Sequence, residues 1–67
     1  MMIQLNGRKI TVDNGITTVQ KLLEAYQLDN RIVIVEKNKE IIDKSNYRDE
    51  QLQENDVVEL VHFVGGG

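Results

Sequence analysis

Thr17-Thr18-Val19-Gln20-Lys21-Leu22-Leu23-Glu24-Ala25-Tyr26 decides how the rest of the chain is read. Val19, Leu22, Leu23 and Tyr26 fall at i, i+3, i+4 and i+7, the spacing of one apolar helix face. Thr17 is the expected N-cap, and Gln20 three residues on completes a capping-box pattern. Leu28-Asp29-Asn30 is expected to end the helix. One helix offers one apolar stripe, so the remaining segments must build the surface that the stripe covers.

Upstream, Ile3-Gln4-Leu5-Asn6 and Ile10-Thr11-Val12 alternate apolar with polar residues. Asn6-Gly7 lies between them, and both residue types tolerate positive φ, which makes it a strong hairpin signal. Strands are expected at about 2–6 and 8–12, with Ile3, Leu5, Ile10 and Val12 facing one core. Asp13-Asn14-Gly15 interrupts the second strand. Downstream, the β-branched run Ile32-Val33-Ile34-Val35 suits a strand buried on both faces in the middle of a sheet. Lys37-Asn38-Lys39 reads as a turn and Glu40-Ile41-Ile42 as a short strand. Residues 43–52 are polar and irregular, anchored by Tyr47 and Leu52. Glu54-Asn55-Asp56 is a second turn in which Asn55 can take the left-handed conformation. Val57 to Phe63 is the last strand. The order ββαβββ is α+β: a mixed sheet of about five strands with one helix packed on one face.

Sixty-seven residues hold one domain, folded over 1–63 and followed by a flexible functional tail, 64–67. A chain of this size buries about 60% of its unfolded surface, which leaves little room for a deep catalytic cleft. With 40% hydrophobic and 28% charged residues it is globular in composition rather than disordered. A net charge of -3, with eight scattered Lys and Arg, argues against nucleic-acid binding. No apolar run is long enough to span a membrane, and the N-terminus lacks the pattern of a signal peptide, so a cytoplasmic location is expected. There are no cysteines. Disulfides, iron–sulfur clusters and thiolate zinc sites are therefore excluded. Any sulfur chemistry needs a sulfur atom attached to something other than cysteine.

Gly65-Gly66-Gly67 follows a strand, so it neither caps a helix nor makes a turn between elements. Without side chains such a segment is thin and flexible, able to thread a narrow channel into another protein's active site. Its useful group is the α-carboxylate of Gly67. A carboxylate is a poor acyl donor, but adenylation by ATP makes a mixed anhydride that a sulfur nucleophile can attack, leaving a thiocarboxylate.

The residues Ile34-Val35-Glu36 with Asn38, Glu40-Ile41-Ile42, Tyr47, Leu52, Asp56 and Val58-Glu59-Leu60-Val61-His62-Phe63-Val64-Gly65-Gly66-Gly67 carry a resemblance. The chain resembles the ThiS-type sulfur carriers of thiamin synthesis, β-grasp proteins related to ubiquitin, nearly end to end. Its most specific part is the block His62 to Gly67. Lys37, where a hydrophobic residue is more usual, and Asn55, where glycine is common, depart from the pattern at turn-like positions. The resemblance implies a carrier without catalysis of its own. A ThiF-like E1-type adenylyltransferase would activate Gly67 with ATP and Mg. A cysteine desulfurase would supply the sulfur, and a ThiG-like thiazole synthase would receive it. No cofactor would be bound by this chain, which would be a monomer when free. The same tail also fits a ubiquitin-like protein modifier, a molybdopterin-synthase-type sulfur carrier subunit, or a structural subunit with an idle tail.

Alternation along the last strand puts Val57, Glu59, Val61 and Phe63 on one face and Val58, Leu60, His62 and Val64 on the other. One set is core, and the set facing outward is an apolar patch beside the tail. Val61, His62, Phe63 and Val64 are the expected partner-docking residues. His62 is the only histidine and cannot build a metal site or a triad alone. Glu36, Asp56 and Glu59 are expected to be solvated rather than paired acids for proton transfer. Tyr26 and Tyr47 are expected at the core edge with wet hydroxyls.

Overall fold

The computed structural model describes residues 1–62. The elements are β1 (Met2–Leu5), β2 (Arg8–Thr11), α1 (Val19–Ala25), β3 (Val33–Lys37), β4 (Glu40–Ile42), a 3-10 turn (Lys44–Asn46) and β5 (Val57–His62). They form one five-stranded sheet in the order β2-β1-β5-β3-β4. β1 and β5 run parallel and the other neighbours antiparallel. This is the expected mixed sheet, covered on one face by α1.

The first hairpin turns at Asn6 (φ 49°) and Gly7 (φ 83°). Two consecutive positive φ values give the primed turn whose twist matches the flanking strands. No atom lies within 4 Å of where a Cβ on Gly7 would sit, so its φ, not crowding, calls for glycine. Asn38 (φ 52°) and Lys39 (φ 70°) repeat the device between β3 and β4, and Asn55 (φ 69°) takes the expected left-handed conformation.

The helix differs from expectation at both ends. Its N-cap is Thr18, not Thr17: the Thr18 hydroxyl accepts the amide of Lys21 at 3.2 Å. Thr17 is still committed to the neighbouring segment, its carbonyl accepting from Leu52 N, and Thr18 bridges Gln51. Helical geometry can begin only after that pairing. Gln20 does not close a capping box; its amide donates to Glu24 one turn on. At the other end the helix stops at Ala25. Gln27 is left-handed (φ 59°), Leu28 N donates to Leu23 O and Gln27 N to Glu24 O. That is the Schellman pattern, with glutamine where glycine is usual. Tyr26 becomes the cap and stands half exposed, outside the core.

Val19, Leu22 and Leu23 of the helix face Ile3, Val35 and Val58 of the sheet, all buried. β3 is not the strand expected from Ile32-Val33-Ile34-Val35. Ile32 precedes it and is 77% exposed, and Ile34 is 43% exposed. The central place belongs to β5. The reason is one of supply: the helix covers one face of the sheet, so β3 buries Val35 and presents Ile34. Tyr47 is buried and its hydroxyl donates to the Val33 carbonyl at 2.9 Å, so it is not the wet hydroxyl expected.

Candidate functional site

β5 connects the core to the end of the chain. Val58 and Leu60 point inward and are buried, while Val57, Glu59 and Val61 point outward. His62, the last described residue, is exposed although its parity is that of Leu60. Phe63 and Val64, two of the expected docking residues, and Gly65, Gly66 and Gly67 lie outside the described residues.

The register assembles the open face around Val61. Ile34 is its partner across β3. Glu36 pairs with Glu59 on one side and with Ile41 of β4 on the other. Val61 is 51% exposed and Ile41 73%. Val61, Ile34 and Ile41 thus form an uncovered apolar group beside two carboxylates. Directly opposed like charges are unfavourable in an isolated sheet, so Glu36 and Glu59 favour a cationic group on whatever covers this face. Exposed aliphatic side chains next to an acidic pair describe a surface suited to association. Ile34 was expected in the core and Ile41 had no assigned role.

Asp56 is not solvated as expected. It is buried, its Oδ1 accepts from Asn38 Nδ2 at 3.0 Å and its Oδ2 from Gln53 N at 2.7 Å. Lys37 Nζ lies 3.8 Å from Asp56 and 2.7 Å from Glu50, and donates to Gln51 O. The cation at position 37 is thereby explained: it serves the acids beside the turn that leads into β5. Asn38 also exchanges two bonds with Val57, N to O at 2.7 Å and Oδ1 from N at 2.9 Å. These polar groups hold the start of β5.

Among the described residues two titrations are displaced, each for a structural reason. Burial pushes the Tyr47 phenol up. The Ser45 amide, donating to Asp43 at 3.0 Å, lowers that carboxyl, as its hydroxyl does to a lesser degree. Neither is on the open face. Among the described residues no group of three His, Cys, Asp or Glu is placed to hold a metal, and no helix is long and apolar enough to cross a membrane. The arrangement can present a surface.

A model of the ThiS family matches residues 2–67. The chain is 54% identical over 66 residues to the sulfur carrier protein ThiS of Bacillus subtilis (strain 168), covering 98% of this chain and 100% of that protein. It is 40% identical over 67 residues to the thiazole synthase of Magnetococcus marinus, where it covers 20% of the length. Among solved structures, the crystal structure of the thiamine biosynthesis protein ThiS from Geobacter metallireducens is 32% identical, is covered completely in both directions, and matches with a TM-score of 0.83.

Proposed function

Because the chain belongs to the ThiS family and has its ubiquitin-like β-grasp fold, we propose that it carries sulfur for thiamin synthesis as a thiocarboxylate on Gly67. A ThiF-like adenylyltransferase, using ATP and Mg of its own, docks on the open face and takes the tail Gly65-Gly66-Gly67 into its active site. The Gly67 carboxylate displaces pyrophosphate from ATP. Sulfur from a cysteine desulfurase, delivered as a persulfide, attacks the acyl adenylate. AMP leaves with the former carboxylate oxygen, and reductive cleavage of the S–S bond by a thiol leaves the thiocarboxylate. The carrier then meets a ThiG-like thiazole synthase, which takes the sulfur into the thiazole ring. This chain supplies the surface and the acyl group, and the enzymes supply catalysis and cofactors. The reading places the cycle in the cytoplasm.

The observation that carries this reading is the exposed end of β5, Val61 and His62, five positions in sequence before Gly67, in a chain with no cysteine. A thiazole synthase as recipient is supported by the likeness of the whole chain to one fifth of such an enzyme. The test is intact mass after incubation with ATP, the adenylyltransferase, a sulfur donor and a thiol. A gain equal to the exchange of oxygen for sulfur, localised to the C-terminal fragment, is expected. An unchanged mass with an activating enzyme proven on another carrier overturns the reading.

A further inference from the structure

Asn6 has a second task besides turning the first hairpin. β1 pairs with β5 in parallel, Gln4 with Val57 and Leu5 with Val58. Gln4 N donates to Asp56 O at 2.8 Å and Asn6 N to Val58 O at 3.0 Å. β1 then ends, while β5 runs on through Leu60 to His62. Leu60 faces β1 with both its amide and its carbonyl, and no strand backbone remains there to meet them.

The Asn6 side chain meets both. Its Oδ1 accepts from Leu60 N at 2.8 Å, and its Nδ2 donates to Leu60 O at 3.3 Å. A primary amide has the donor and acceptor of a peptide group in one plane. It therefore adds a rung to the ladder, after those at Asp56 and Val58, without adding backbone. Aspartate lacks the donor, and glutamine places the same group one methylene farther out. Glycine satisfies the turn but has no amide to offer. Only asparagine combines tolerance of φ 49° with both bonds.

We infer that Asn6 is a positioning residue for the acyl-transfer chemistry at Gly67, fixing the direction of the far end of β5, Leu60 to His62, which precedes the tail in sequence. The inference rests on the proposed carrier function. Leu60 is seven positions before Gly67 in sequence, and on the β1 side it is the last described residue of β5 that is held. On the β3 side, pairing continues to Val33 and His62. With Leu60 held by Asn6 on one side and Val61 and His62 in register with Ile34 and Val33 on the other, the strand end has one heading. Released on one side, it pivots about β3. The outward group Val61, Ile34 and Ile41 still docks, but the reacting carboxylate arrives less often at the bound nucleotide.

The test uses the full chain as Asn6→Gly and Asn6→Asp, with two readouts. In Asn6→Gly the Leu60 amide should exchange hydrogen roughly tenfold faster beyond any change at Val35 and Ile3, since only a local bond is lost. Pyrophosphate release by the adenylyltransferase should show kcat lower by roughly tenfold, because misplacement rather than weaker docking is the defect. KM should stay within about twofold. Asn6→Asp, which keeps the acceptor, should fall between glycine and wild type in both. Equal acceleration of exchange at Leu60, Val35 and Ile3 would mean that Asn6 merely stabilises the fold. An unchanged kcat, or a rise in KM alone, would also overturn the inference. If the wild-type chain is not adenylated by a competent enzyme, the carrier reading itself fails, and the positioning role falls with it.

Discussion

The two ends of β5 are held by different means. Its start is enclosed by polar groups: Asn38 exchanges two bonds with Val57, and buried Asp56 gathers Asn38, Gln53 and Lys37. Its far end has Asn6 at Leu60 on one side, β3 on the other, and exposed Val61 and His62. The same strand thus passes from a hydrogen-bonded start beside buried Asp56 to an open end within six residues. The contrast teaches where stability and function are separated in a domain this small. Residues at the start of β5 should answer to unfolding measurements, and those at its far end to binding and transfer.

The largest expected effect sharpens the functional side. Deleting Gly66-Gly67 should abolish thiocarboxylate formation, measured by mass, while leaving thermal unfolding where it is in the wild type. Next comes the start of the strand and the core beneath it. Leu22→Ala should cost about 2–5 kcal/mol in urea unfolding, because a fully buried side chain leaves a cavity. Asp56→Ala should cost about 2–4 kcal/mol, since it strands the donors of Asn38 Nδ2 and Gln53 N, while Lys37 keeps Glu50. Both variants should keep near-wild-type KM for adenylation at temperatures where they remain folded. The far end should invert this pattern. Val61→Ser with Ile41→Ser should change stability by no more than about 1 kcal/mol yet weaken docking to the adenylyltransferase by roughly tenfold, measured by titration calorimetry. If the paired variant destabilises as much as Asp56→Ala, the division between the two ends is wrong.

The smallest effect concerns pH. Tyr47 donates its proton to the Val33 carbonyl, and burial raises its pKa from 10.0. The folded state then keeps a proton that the unfolded chain has lost. That contribution to stability is complete below the unfolded value and fades as pH rises through the folded one. Tyr47→Phe should cost about 1 kcal/mol at neutral pH for the lost hydrogen bond. Its disadvantage relative to wild type should shrink above about pH 10, the ordinary range of a tyrosine, in denaturation curves measured across that interval.

Much of the fold was legible because its signals are local. Asn6-Gly7, the Val19-Leu22-Leu23 spacing and the Asn55 turn each state a backbone requirement that no distant contact overrides. The helix ends were not legible. Thr17 lost the cap to Thr18 because residues 17 and 18 pair with residues 51 and 52, a contact invisible to a window of ten residues. The Schellman end uses Gln27, which carries no glycine signal. Ile32 to Val35 misled in a more instructive way. A run apolar at every position suggests burial on both faces, yet a single helix covers a single face. Ile34 is apolar toward solvent, and with Val61 and Ile41 it makes the open surface. The local rule fails at the place where association is proposed, which is where such failures are expected. Val61 was legible as facing away from Leu60, whereas His62 is exposed against its parity. Phe63 through Gly67, where the chemistry is proposed, lie beyond the described residues. The second task of Asn6 was hidden behind its turn signal, since pairing with Leu60 joins positions 54 apart in sequence.

The measurement that addresses the central claim most directly is the mass of the C-terminal fragment of this protein isolated from thiamin-starved cells. The account predicts a Gly67 terminus in which one oxygen is replaced by sulfur, alkylated by a thiol reagent despite the absence of cysteine. A terminus found only as free carboxylate under starvation, or joined through Gly67 to lysines of other proteins, would contradict it.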